Sequence, residues 1–233
     1  NTKNIGILAA KNAIKKLGGK KIKTSISPII IGSEISHIFF NSLIKATYGQ
    51  NIYNKKSFLY NLLNKQIFPK TINIYEEPHI KKAIGSKPFD SEGTETKFKF
   101  IIKNGYLKNY LLDNYYAKKL NMETTGNCGG ISNIIISPDN ISIKKLIQKM
   151  YKGLLITELL GNGANIITGD YSYGVSGFWI EKGIIEYPVN EITIAGNFIN
   201  TFMNIIEISN DINNYEKIKT GSILINNILI SGI

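Results

Sequence analysis

An α+β fold, mainly antiparallel β-sheet with a few packed helices, is what this sequence predicts, and three observations carry it. An Asn-Gly pair at 104–105 separates two strand-like stretches, the pattern of a tight hairpin. Apolar residues recur at helical spacing after Ser33 and after Ser142. Strand and helix signals then follow one another irregularly, unlike the strict alternation of a doubly wound parallel fold.

Taken in order, residues 7–17 place Ile7, Ala10, Ile14 and Leu17 on one helical face, with Gly18-Gly19 as the stop. This helix reads as the last of a preceding domain. Lys20 to Ser27 form a basic linker into Pro28-Ile29-Ile30-Ile31, a short apolar strand. Ser33 is expected to cap an amphipathic helix carrying Ile35, Ile38, Phe39, Leu43 and Ala46, ending near Gly49. Phe98 to Lys103 and Tyr106 to Leu112 are the arms of the hairpin, whose Asn104-Gly105 turn supplies two positive φ values. Asp139 to Ser142 offer caps to a helix whose buried stripe is Ile143, Leu146, Ile147, Met150, Leu154 and Leu155. A second hairpin runs from Phe178 to Tyr187 over Glu181-Lys182-Gly183 and is closed by Pro188. Asn197 to Ile206 adds a short helix, and Ile223 to Ile230 a last hairpin over Asn226-Asn227.

Composition bounds the function. Ile, Lys and Asn number 45, 28 and 27, Val occurs only at Val175 and Val189, and there is no Arg. All three favoured residues have A- and T-rich codons, so the net charge of +11 reflects codon bias before it reflects an acidic partner. Nucleic-acid readers depend on guanidinium forks that an ammonium cannot replace, so nucleic acid is an unlikely ligand. The charge is nevertheless uneven: residues 1–150 carry 24 Lys against 9 acids, and residues 151–233 carry 4 against 8. A diffuse nucleic-acid or anionic-surface binder therefore stays as an alternative. Apolar runs are far too short for a bilayer, which takes roughly 20 residues, so no membrane is expected. One cysteine, Cys128, and the lack of a signal-peptide pattern point to a cytoplasmic protein, and the missing initiator Met to a piece of a longer one.

The catalytic inventory is thin. His37, His79 and Cys128 are too few for a four-ligand zinc site. Glu34 and His37 share a helical face, a pattern more often solvated than ligating. Cys128, in Thr125-Gly126-Asn127-Cys128-Gly129-Gly130, has no His beside it in sequence to activate it. Asp90, Glu92 and Glu95 crowd a turn that turn chemistry alone would select. The glycines from Gly153 to Gly177 form neither phosphate-binding pattern.

Several segments nonetheless resemble, in collinear order, the C-terminal half of the TldD/PmbA family, and specifically its PmbA (TldE) branch. They are Pro88-Phe89-Asp90-Ser91-Glu92-Gly93-Thr94, Tyr110-Leu111-Leu112-Asp113, Gly129-Gly130-Ile131-Ser132-Asn133 and Gly153 to Leu159. The densest are Thr168-Gly169-Asp170-Tyr171-Ser172, Gly177-Phe178-Trp179-Ile180-Glu181 and Glu191 to Asn197. The resemblance implies a preceding N-terminal domain ending within residues 1–24 and a C-terminal domain over 25–233. It also implies a cytoplasmic metalloprotease system in which TldD-like and PmbA-like chains associate and cleave peptides in an enclosed cavity. In the TldD branch a His-Glu-x-x-x-His helix and a Cys just before a Gly hold the metal. This chain lacks the helix motif and has Thr220 ahead of Gly221 in the Cys position; a neutral hydroxyl is a far weaker zinc ligand than a thiolate. No catalytic residue and no cofactor are therefore expected here, with zinc held by a TldD-like catalytic partner. The substrate groove is expected at Thr168, Gly169, Asp170, Tyr171, Glu191, Thr193 and Asn197. The alternative within the family is a subunit active in its own right through ligands in the N-terminal half.

Overall fold

The computed structural model describes residues 2–161 and 163–232. The first half of the chain holds α1 (Thr2–Lys15), β1 (Ser25–Ile31), α2 (Ser33–Thr47), α3 (Gly49–Tyr53), β2 (Ile74–Glu76), β3 (Lys99–Lys103), β4 (Tyr106–Leu107) and α4 (Asn114–Lys119). The second holds β5 (Ile134–Ile136), α5 (Ile143–Met150), β6 (Gly153–Leu160), β7 (Asp170–Glu181), β8 (Ile184–Asn197), α6 (Phe198–Met203), β9 (Ile205–Ile208), β10 (Ile218–Lys219) and β11 (Ile223–Ser231).

The expected α+β class with mainly antiparallel sheet is what the chain adopts. One sheet runs β1-β6-β7-β8-β11-β9, and because β1 also pairs with β11, five of its strands close into a ring. The other sheet runs β10-β5-β2-β3-β4. Only β1–β6 and β10–β5 are parallel pairs. Closure covers most of the open edge that a flat sheet would present.

A cluster of aromatic rings fastens α2 and α6 to this framework. Phe39, Phe40, Phe68, Phe198 and Phe202 are fully buried, and Phe68 and Phe202 stack with centroids 4.6 Å apart. Such ring pairs contribute about 0.5–1.5 kcal/mol beyond the area they bury. Helix α5 covers another face of the barrel, setting Leu146 and Met150 on Ile30, Leu155, Ile180 and Leu224.

Local chemistry explains where the elements start and stop. Asn104 and Gly105 have φ of 50° and 81°, the expected type I′ pair, although the returning strand ends at Leu107. Gly105 is obligatory, since a Cβ there would stand 2.3 Å from the Phe68 carbonyl oxygen. The second hairpin turns over Lys182-Gly183, both with positive φ, and is much longer than expected, with Pro188 inside β8 rather than at its end. Ser142 caps α5 as expected, its hydroxyl accepting from the Lys145 N–H.

Four expectations are corrected. Gly32, not Ser33, is the N-cap of α2, and Ile38 faces solvent. Leu154 and Leu155 belong to β6: Tyr151 and Gly153, with φ of 63° and 156°, break the helix before them. Asn226-Asn227 lies inside β11, where Asn227 takes a φ of 56° without reversing the chain. The helix after Asn197 covers only Phe198–Met203. Upstream, the first helix forms, but Ile7, Ile14 and Leu17 are more than half exposed.

Candidate functional site

The β7–β8 ribbon carries most of the expected groove residues, and its register decides which of them meet. Asp170 pairs with Asn197 at the end away from the hairpin turn. There the Asn197 side-chain amide donates to Asp170 Oδ1 at 3.0 Å and to the Thr168 carbonyl at 3.2 Å. Thr168 Oγ1 accepts from the Asp170 N–H, and the Gly169 carbonyl accepts from Phe198 N–H at 2.7 Å. Thr168, Gly169, Asp170 and Asn197 thus form one hydrogen-bonded corner. Asn197 and Thr168 hold the exposed Asp170 carboxyl below the usual carboxylate range.

The remaining groove residues lie elsewhere. Tyr171 is buried beneath the corner, its hydroxyl 2.8 Å from Thr201 Oγ1, and burial pushes its pKa up to about 12. Thr193 sits mid-ribbon between Gly174 and Ser231. Glu191, with φ of 52°, stands six residues before Asn197, roughly 20 Å along a strand rising ~3.3 Å per residue. It pairs with Lys21 at 2.8 Å, and Lys21 keeps its carboxyl acidic.

Lys21 belongs to the linker, which meets β8 in a single parallel bridge. Lys20 pairs with Val189 in parallel. Its N–H donates to the Pro188 carbonyl at 2.9 Å, and its carbonyl accepts from Asn190 N–H at 3.3 Å. The Lys20 ammonium sits 4.8 Å above the Tyr187 ring. Before Pro188 the same edge, Ile184 to Tyr187, pairs with no strand but β7 among the described residues.

Beside that open edge lies a cavity of about 520 Å³, between the end of α1, the start of α2 and the outer face of β6–β8. Leu155, Thr157 and Phe178 line its inner face, Ile35 and Tyr187 its sides, and Lys15 of α1 overhangs it. In one corner Ser222 Oγ accepts from the Ser33 N–H at 3.0 Å and donates to Asp211 Oδ2 at 2.7 Å. Sequence reasoning missed this cavity. No motif marks it, because it depends on a slip of register in β6 between Ile156 and Glu158.

The donors among the described residues do not assemble a site for a zinc ion. Thr220 is fully buried, its hydroxyl directed to the Gly221 carbonyl at 3.2 Å. Among the described residues no three His, Cys, Asp or Glu side chains stand close enough to share a metal. His79 Nε2 lies 3.3 Å from Thr96 Oγ1, and His37 Nδ1 is buried without a hydrogen-bond partner. The acidic turn is structural: Asp90 accepts from the N–H groups of Glu92, Thr94 and Cys128 at 2.9–3.0 Å. Burial, with Glu92, Asp90 and Asp113 nearby, pushes the Cys128 thiol up, the opposite of what a nucleophile needs. Among the described residues no helix is long and apolar enough to cross a membrane.

Comparison with known proteins adds four findings. The model of the PmbA/TldA metallopeptidase C-terminal domain matches residues 24–232. A protein of Buchnera aphidicola from the aphid Acyrthosiphon pisum, named metalloprotease PmbA homolog, is 51% identical over 98% of this chain and 51% of its own length. A crystal structure from Bacteroides thetaiotaomicron superposes with a TM-score of 0.94 at 32% identity, covering 98% of this chain and 52% of that one. TldE from Thermococcus kodakarensis, at 24% identity and a TM-score of 0.86 over 99% of this chain and 55% of that one, shares the fold. The chain spans about half the length of the curated relatives it matches.

Proposed function

This chain belongs to the PmbA/TldD metallopeptidase family, and on that premise we propose that it serves as a scaffold and substrate platform in a cytoplasmic peptide-cleaving complex. Residues 25–233 are its C-terminal domain, and residues 1–24 end the domain before. A TldD-like partner holds the zinc and performs the hydrolysis, and this chain positions the peptide.

One observation carries the reading. The β8 edge already holds the linker at Lys20 through two main-chain hydrogen bonds, the way proteins capture peptides of varied sequence. The donor set described above supports the division of labour, since among the described residues no three ligating side chains come together for zinc. The platform runs along the β7–β8 ribbon, with the Thr168–Asp170–Asn197 corner at one end and Glu191 further along.

The test is peptide cleavage by the full-length chain with and without a TldD-like partner. Cleavage is expected only in the mixture, with zinc copurifying in the complex. Zinc-dependent cleavage by this subunit alone would overturn the proposal and favour the alternative in which ligands outside these residues make it a protease in its own right.

A further inference from the structure

Two irregularities leave β8 little regular edge on its open side. Its pairing with β7 skips Glu186 between Ile185 and Tyr187, and between Val189 and Ile192 it sets Asn190 and Glu191 against Ser176 alone. Glu191 takes a φ of 52°. Bulges of this kind interrupt a hydrogen-bonding ladder, and from Thr193 onward the edge is taken by β11. Main-chain groups of alternate residues point to opposite sides of a strand. The stretch between the bulges therefore turns outward only the Pro188 carbonyl, since Pro188 has no N–H, and the Asn190 N–H follows it. Lys20 engages both, at 2.9 and 3.3 Å.

The residues around Lys20 bring it there. Gly18 has a φ of 71°, which favours glycine, and a Cβ on Gly19 would stand 2.6 Å from the Asn190 side-chain nitrogen. Lys21 pairs with Glu191 at 2.8 Å, and the Lys20 ammonium lies over the Tyr187 ring. None of this is buried. Gly18, Lys20 and Lys21 are exposed, and the ion pair leaves its two side chains 48% and 68% exposed. Such a pair shifts an equilibrium by only about two- to fivefold. Burial begins at Ile22, which is 8% exposed. The four residues before it are held closely but weakly.

We infer that Gly18 to Lys21 form an autoinhibitory strap, which holds the main-chain groups an extended peptide must pair with and which a peptide displaces when it takes the β8 edge. The inference rests on the peptide-platform reading and names how that platform is regulated. With the strap down, the free edge is Ile184 to Tyr187, interrupted by the bulge at Glu186. With the strap lifted, Ile22 still pins the linker and the edge from Tyr187 to Asn190 is open. Apparent affinity for peptide is then the intrinsic affinity reduced by the fraction of molecules whose strap is lifted.

The test uses the full-length chain in complex with its TldD-like partner and short, uncharged, unstructured peptides labelled with fluorescein. Affinity is read by anisotropy, and the Lys20 and Asn190 amides by hydrogen exchange. Peptide binding is expected to expose the Lys20 amide while that of Asn190, which only changes partner, stays protected. Lys20→Pro removes the N–H given to Pro188, and Lys21→Glu sets two carboxylates against each other. Each is expected to raise affinity about threefold, whereas Lys23→Glu, the same charge change at an exposed linker position outside the strap, leaves it unchanged. Melting temperatures report that each variant folds, and Lys21→Glu decides the matter should Lys20→Pro not fold. Peptide binding that leaves the Lys20 amide protected, or affinity that does not rise when the strap is weakened, overturns the strap and leaves the platform standing. No peptide binding by the complex or by any variant overturns both.

Discussion

Glu76 and Lys99 form an ion pair 2.7 Å long between neighbouring strands of the second sheet, with the carboxylate side chain 1% exposed. Asn127 donates to both Glu76 oxygens and the Ser132 N–H to one of them, so the pair ties β2 and β3 to the Gly126–Asn133 loop. Burial opposes ionisation of Glu76, but Lys99 and these donors override it and set its pKa below the ordinary value. Glu76→Gln leaves the Lys99 ammonium largely buried without a counter-charge and is expected to cost about 3 kcal/mol in urea unfolding at pH 7. Because the folded pKa is the lower one, the wild-type contribution is complete above roughly pH 4.3 and is lost as pH falls through the folded value. Glu76→Gln therefore flattens the acid limb of the stability curve, and an unchanged limb would refute the assignment.

Tyr171 and Thr201 share a buried hydrogen bond of 2.8 Å. Tyr171→Phe orphans the Thr201 hydroxyl, which is 2% exposed, at about 1–2 kcal/mol. Adding Thr201→Val removes the orphan, so the double-mutant cycle is expected to show coupling of about 1 kcal/mol. The raised pKa has its own signature: the neutral phenol stabilises the fold fully below roughly pH 10, and that stability is lost as pH rises toward about 12. Tyrosinate absorbance at 295 nm is expected to show a group of tyrosines that ionise late, with one fewer in Tyr171→Phe.

Cys128 is expected to react slowly with a disulfide reagent at pH 7.5, since burial and three acids keep the thiol protonated. Glu92→Gln keeps the shape of the cap on Asn114, whose N–H lies 3.0 Å from the Glu92 carboxylate, but removes one charge. It is expected to raise the labelling rate a few-fold at unchanged melting temperature. A rate as fast as that of free cysteine in the wild type would show an activated thiol and reopen Cys128 as a nucleophile.

What the sequence made legible was local. Asn104-Gly105 and Lys182-Gly183 announce turns because few residues accept positive φ, and Ser142 announces a helix start because its hydroxyl can cap one. The ring closure was not legible: Ser25 pairs with Ile230, a contact some 200 residues apart that neither segment encodes alone. Leu154 and Leu155 continued the helical stripe of α5, and only the strained backbone at Tyr151 and Gly153 diverts them into β6. The corner of Thr168, Asp170 and Asn197 follows from one register, whereas Glu191 shares only their strand. Thr157 and Phe178 had no signal, since bulges come from the packing of whole strands.

The donor set makes the last prediction. If the chain merely lacks the cysteine that the TldD branch has, Thr220→Cys would complete a site. Among the described residues, however, no three His, Cys, Asp or Glu side chains stand close enough to share a metal, and zinc needs three or four ligands in tetrahedral array. One thiolate added at a fully buried position leaves the ion short of partners and itself costly to ionise. The Thr220→Cys variant of these 233 residues, loaded with zinc and dialysed, is therefore expected to retain no stoichiometric metal by elemental analysis. One tightly held zinc per chain would show that further ligands converge on Thr220, and this subunit would then have to be counted among the catalytic ones.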